Sequence, residues 1–221
     1  MLKSLFNFIL AFALATHSGA FSRLQSGHET KEKFYNKKEI VLSEDSIKIW
    51  NKWINETISK SDSLGCPAII VSKLDKRLSL YINGKYDTSF EISLFNYTRP
   101  KTKMGDGLTP EGMFYVTKMA PHKFFGYIIQ ISYPDTIAAK IGLENKLITK
   151  KEYTEIEKAI REKRTPPMHT KLGGDICIHG TKASIGCIAI DSGIYYLYEK
   201  VKNKKVLVTI VRGTKPKYLI D

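Results

Sequence analysis

Asn83-Gly84 limits the architecture of this chain more than any other pair of residues. An Asn-Gly step favours the two positive backbone angles of a tight hairpin turn, and here it lies between two strand-like runs. Leu78–Ile82 alternates before it, and Tyr86–Leu94 is the predicted returning strand. The compact apolar run Ala68–Ser72 precedes the hairpin, and a loop rich in Gly, Pro and Lys (Arg99–Gly112) follows it. Met113–Lys118 and Tyr127–Tyr133 read as further strands, so the first half is predicted to be a β-meander.

Helical signals bracket these strands. Ser43 is a predicted N-cap for a helix of about four turns carrying Ile47, Trp50, Ile54 and Ile58 at helical spacing. Trp50 and the neighbouring Trp53 are read as core packing rather than a glycan-stacking platform. Thr149 and Glu152 form a capping box for a second helix, whose stripe of Tyr153, Ile156 and Ile160 ends before Pro166-Pro167. Strands return at Asp175–His179 and around Ile185–Ile190. Asp191 is the expected cap of a helix through Ile194, Leu197, Tyr198 and Val201, and Lys205–Val211 closes as an alternating strand. The predicted class is mostly β with flanking helices (α+β).

A chain of 221 residues with 43% hydrophobic and 26% charged residues is ordinary globular material, which argues against disorder and against a multi-pass membrane protein. Its first residues resemble an export signal: Lys3, the short apolar run Leu5–Ala15, and small residues at Ser18-Gly19-Ala20. The division expected is a signal peptide at 1–20, a lead-in and amphipathic helix at 21–64, and a catalytic domain at 65–221. The mature protein is expected in the periplasm or cell envelope, with no stable membrane span after the signal is removed. The formal net charge of +13 suits an anionic envelope polymer. Its lysines are scattered and no nucleic-acid module is present, so nucleic acid is not an expected partner.

Three cysteines, Cys66, Cys177 and Cys187, leave at least one thiol unpaired within the chain. A Cys66–Cys177 disulfide with Cys187 free, and unpaired buried thiols, are both open from the sequence. Cysteine chemistry needs a thiolate, a base, and donors aimed at the oxyanion formed on attack. The segment around Cys187 can supply all three. His179 ends a predicted strand eight positions upstream, and the chain must turn between them. The Gly180 carbonyl can orient the imidazole, the amides of Gly186 and Cys187 are natural oxyanion donors, and Ser184 can hydrogen-bond across the turn. Two alternatives compete: simple packing of a buried cysteine, and a metal site using Cys177, His179 and Cys187, whose spacing matches no zinc pattern. No metal and no cofactor are expected.

The run Ile178-His179-Gly180-Thr181 followed by Ser184-Ile185-Gly186-Cys187-Ile188 resembles the active-site signature of the L,D-transpeptidase (YkuD-domain) family. The likeness extends upstream to Ile70-Val71-Ser72, Arg77–Tyr81 and Asn83-Gly84-Lys85, and to Thr109-Pro110-Glu111-Gly112-Met113-Phe114. Ile131-Ser132-Tyr133-Pro134 and Gly173-Gly174-Asp175-Ile176 are similar to a short-motif branch that includes hydrolytic relatives. This resemblance implies an L,D-transpeptidase-like β-sandwich in which Cys187 attacks a carbonyl of a peptidoglycan stem peptide and His179 manages the proton. An amine acceptor then gives a cross-link, and water gives hydrolysis or release of a wall-linked protein. Ile185 stands where the commoner motif has a second histidine, and Ala189 where many members have arginine. Both departures bear on the acceptor side of the cleft. The helix from Thr149 to Arg164 is a candidate lid. The rival readings are a non-catalytic cationic wall-binding module and a peptidase or amidase with a non-wall substrate.

Overall fold

The computed structural model describes residues 38–220, so the expected signal peptide at 1–20 and most of the lead-in lie outside the described residues. Ten strands and four helices follow in the order β1 (Lys38–Val41), α1 (Glu44–Leu64), β2 (Pro67–Ser72), β3 (Arg77–Ile82), β4 (Lys85–Glu91), β5 (Gly112–His122), β6 (Gly126–Ile131), α2 (Thr136–Glu144), α3 (Lys150–Arg161), β7 (Cys177–His179), β8 (Ile188–Ala189), α4 (Ile194–Val201), β9 (Leu207–Val211) and β10 (Lys217–Ile220). This is a mixed sheet with flanking helices, as expected.

The hairpin forms where Asn83-Gly84 places it. Both residues have positive φ, +50° and +72°, and β3 pairs antiparallel with β4 on either side. The simple meander stops there. The strand order is β4-β3-β2-β9-β5-β6-β7-β8, so the late strand β9 inserts between β2 and β5, parallel to the first and antiparallel to the second. Strand β5 joins the two halves: Gly112–Tyr115 pairs with β9, and from Val116 onward it pairs with β6. Ile69, Val71, Leu78, Leu80, Val208 and Ile210 from one half pack in one cluster with Ile129, Ile131, Ile178 and Ile188 from the other. The two halves therefore share one core, which at about 25 cal/mol per Å² of buried apolar surface is the main stabilising term.

Helix α1 is 21 residues long rather than four turns. It starts at the Ser43 cap, whose side chain accepts from Ser46 N, and ends at Gly65 in the left-handed region. Trp50 is buried beside Leu42, Leu74 and Val211, in keeping with the packing role expected for the tryptophans. Thr57 meets Thr209 of β9 through their hydroxyls at 2.6 Å. Residues 38–41, expected as part of the lead-in, are a strand paired with β10, and residues 38–64 pack onto the same compact unit as 65–220.

Other local expectations shift. Helix α2 had no counterpart in the expected elements, although Asp135 caps it by accepting from Ala138 N at 2.8 Å. The Thr149–Glu152 capping box is present. Helix α4 starts at Gly193, with no side-chain cap, rather than at Asp191. Ile185–Ile190 yields only the two-residue strand β8, because Gly186 has φ +87° and breaks the extended run. Among the described residues, no helix is long and apolar enough to cross a membrane.

Candidate active site around Cys187

The two short strands β7 and β8 lie side by side and parallel, with Ile178 opposite Ile188 and His179 opposite Ala189. Ile178, Ile188 and Ala189 are fully buried, so the core anchors the segments that carry His179 and Cys187. One step before the paired residues, Cys177 stands next to Cys187. The Cys177 amide donates to Cys187 Sγ at 3.3 Å, and as a thiol Cys187 donates to the Asp175 carbonyl at 3.5 Å. The Cys187 thiol is held well below its ordinary pKa, first by the hydrogen bond with the Cys177 side chain, against the opposing effect of burial, and then by a hydrogen bond and charge interaction with His179. The Cys177 thiol moves the opposite way for the same reason, since it is the partner that keeps its proton.

His179 is buried, and aromatic rings bracket it. Its imidazole stacks on Phe125 at 4.6 Å between centroids, and Phe125 in turn stacks on His122 at 4.5 Å. The Gly180 amide donates to Phe125 O at 2.9 Å, tying the histidine segment to the β5–β6 turn. A side chain on Gly180 would meet Ile194 at 2.5 Å and Phe125 O at 2.8 Å, which explains the glycine after the histidine. The partner of His179 Nδ1 is the Thr181 hydroxyl at 3.1 Å, where the sequence suggested the Gly180 carbonyl. That hydroxyl also donates to Ala183 O at 2.8 Å. A group that engages one ring nitrogen orients the ring and determines which nitrogen is left to take a proton.

Gly186 and Ser184 shape the other side. Gly186 lies in the left-handed region, and a Cβ there would press on Leu108 O at 3.3 Å. Its carbonyl accepts from the buried Thr109 hydroxyl at 3.1 Å, and the Ser184 hydroxyl donates to the Cys187 carbonyl. Among the described residues, the amides of Gly186 and Cys187 have no acceptor within the protein. Two free donors beside a low-pKa sulfur are the arrangement an oxyanion requires.

Thr109 is itself firmly held. Lys73, completely buried, donates to the carbonyls of Arg99 and Thr109 and forms a 2.8 Å ion pair with Glu111, which also binds Arg212 at 2.9 Å. Burial pulls the Lys73 ammonium down to about 8, against the stabilising pull of Glu111. The adjoining loop winds around Asp106, whose carboxylate accepts from the amides of Thr102, Lys103 and Leu108 and from Lys101 Nζ. The rim of the cleft is apolar. Phe95 and Ile185, both exposed, lie against the position of Gly107.

The structure thus brings Cys187, His179, Gly180, Gly186 and Ser184 into one segment-scale site. Cys177, Thr181, Thr109 and Lys73 belong with them and were not singled out as site residues from the sequence. Thr109 falls inside a motif and Cys177 in the cysteine count, but only strand register brings either to the site. Cys66 is remote: it is buried at the α1–β2 junction, and all three cysteines are free, so the Cys66–Cys177 bridge does not form. Among the described residues, no group of three or more His, Cys, Asp or Glu is arranged to hold a metal ion. Helix α3 buries Ile156 and Ala159, and Ile156 packs with Ala139, Ile148 and Leu172 as a fixed element of its own small core. A groove of about 480 Å³ between α2 and α3 contains no cysteine or histidine.

Among solved structures, the helical cell shape determining protein Pgp2 from Campylobacter jejuni (K307A mutant) is similar at 22% identity and a TM-score of 0.49, covering 80% of this chain and 59% of that one. Bd1075 from Bdellovibrio bacteriovorus follows at 17% identity and 0.43, covering 71% and 51%. L,D-transpeptidase 1 from Mycobacterium tuberculosis is at 12% and 0.36, covering 66% and 62%. The chain thus spans little more than half the length of the first of these. No curated protein sequence matches it. The profile of the L,D-transpeptidase catalytic domain, YkuD, matches residues 67–211, which run from β2 through β9 and include every residue of the site above, and the chain belongs to that family.

Proposed function

We propose that this protein is a cell-wall enzyme that forms an acyl-enzyme on Cys187 with peptidoglycan stem peptides. The observation that carries this reading is the low-pKa sulfur of Cys187, hydrogen-bonded to His179 and flanked by the unpaired amides of Gly186 and Cys187. In the reaction, the Cys187 thiolate attacks a peptide carbonyl of the stem. The carbonyl oxygen takes up negative charge facing the two amides. The C–N bond then breaks, His179 passes the proton to the departing amine, and a thioester remains. An incoming amine gives an L,D-cross-link; water gives a shortened stem or a released wall-linked protein. In either case His179 removes the proton of the attacking group and Cys187 leaves as the thiolate. Gly180 keeps the histidine segment against Phe125, and Ser184 steadies the Cys187 carbonyl.

The family supports peptidoglycan as the substrate class, and the net charge of +13 suits an anionic wall. Residues 1–20 are proposed to be a removable export signal, and the catalytic unit to work in the periplasm or cell envelope. The test is mass spectrometry of muropeptides after incubation with the protein. Wild type is expected to produce new cross-links or shortened stems, and Cys187→Ala none. Unchanged muropeptides with wild type, together with equal binding of wild type and mutant to sacculi, would replace this reading with that of a wall-binding module.

A further inference from the structure

The mechanism above uses one cysteine, yet the site contains two. Cys177 and Cys187 occupy equivalent positions on neighbouring parallel segments, one residue before the Ile178–Ile188 pair. Neighbouring strands lie about 4.8 Å apart and equivalent positions point to the same face. Disulfides span Cα separations of about 4.4–6.8 Å, so this register suits a bridge. The Cys177 amide already touches Cys187 Sγ at 3.3 Å, and both side chains are only partly buried, which leaves a small oxidant access.

We propose that Cys177 is a resolving cysteine for Cys187: a hydroperoxide oxidises Cys187, a Cys177–Cys187 disulfide closes over the nucleophile, and a dithiol reopens it. The inference rests on Cys187 being a reactive thiolate, as the proposed function requires, but not on the identity of the substrate. In the first step the Cys187 thiolate attacks one peroxide oxygen, the O–O bond breaks and hydroxide or alkoxide leaves. The sulfur, oxidised by two electrons, becomes a sulfenic acid while the peroxide is reduced. In the second step the Cys177 sulfur attacks Cys187, the S–O bond breaks, and the Cys177 proton leaves with the hydroxyl as water. A dithiol then returns two electrons and two protons and becomes a disulfide itself.

The local electrostatics suit this order of events. While Cys187 is a thiolate, the hydrogen bond to it is the largest cause of the raised Cys177 pKa. A sulfenic acid carries no such charge, so oxidation of Cys187 removes the interaction that keeps Cys177 protonated. The bridge would keep the most reactive thiol from irreversible oxidation.

The experiment is peptide mapping of the full chain, without substrate, after hydrogen peroxide. Trypsin separates the two cysteines at Lys182, so a bridge appears as Leu172–Lys182 joined to Ala183–Lys200, lighter by two hydrogen atoms than the separate peptides. The expected result is this linked pair in wild type, fully reversed by dithiothreitol. In Cys177→Ala and Cys177→Ser, Cys187 is expected to advance to sulfinic and sulfonic acid, with loss of thiol that dithiothreitol does not recover. Over-oxidation of Cys187 at equal rates in wild type and variants, or a bridge to Cys66, would overturn the resolving role while leaving the thiolate reading intact. Cys187 untouched by peroxide in all three proteins would overturn both. The wild-type map needs no variant to fold.

Discussion

Cys66 and Cys187 are the same side chain in two settings, and their settings push them in opposite directions. Cys66 sits where α1 turns into β2, its amide donating to Ser61 O at 3.0 Å and its carbonyl accepting from Ser61 Oγ at 2.6 Å. No cation or thiol partner touches its sulfur, and burial pushes its pKa up, with Lys205 opposing only partly. Cys187 feels burial too, but the Cys177 and His179 side chains outweigh it. Burial on its own makes a cysteine inert; a nucleophile needs donors built around the sulfur.

The largest test of this contrast is substitution. Cys187→Ala is expected to abolish turnover of muropeptides, whereas Cys66→Ala is expected to keep turnover within a factor of about two and cost about 1 kcal/mol in urea unfolding. Next comes the base. His179→Gln is expected to lower the turnover rate about 10²- to 10⁴-fold and to move the pH midpoint of Cys187 alkylation upward, toward that of Cys66.

The supports of the site give smaller effects. Lys73→Ala leaves Glu111 buried with Arg212 alone and removes the donor from two carbonyls, so a loss of about 3 kcal/mol is expected in urea unfolding. The sign of its pH dependence follows from the same burial. Lys73 titrates near 8 in the folded protein against an ordinary 10.5, so between these values the unfolded chain holds the extra proton. Lys73 therefore adds stability as pH rises through that window, and Lys73→Ala should flatten the rise. The smallest expected effect is at Thr181. Thr181→Val should lower the turnover rate about 10-fold with KM unchanged, and Thr181→Ser should restore it, since only the hydroxyl meets His179 Nδ1.

The same contrast separates what the sequence reveals from what it conceals. Asn83-Gly84, the Ser43 cap and the Thr149–Glu152 box are local signals, and each appears where the residues place it. The insertion of β9 between β2 and β5, and the β1–β10 pair, depend on contacts across the whole chain, for which alternating apolar residues give no address. Helix α2 was missed for another reason: Asp135 is a capping residue, but it follows Pro134 at the end of a strand-like run and reads as a turn. At the site, Cys187, His179 and Gly186 are legible because their chemistry depends on residue type and short spacing. Cys177 becomes part of the site only through the parallel register of β7 and β8, and Thr181 only through the direction of its hydroxyl.

The central claim, that Cys187 is the nucleophile, is tested most directly by trapping the acyl-enzyme. The protein is mixed with a purified stem peptide, quenched in acid, and digested for mass spectrometry. The expected result is a substrate-derived adduct on Ala183–Lys200 at Cys187, absent from Cys187→Ala, with the Cys66 and Cys177 peptides unmodified. Turnover of the stem peptide by Cys187→Ala, or an adduct on a different cysteine, would contradict it.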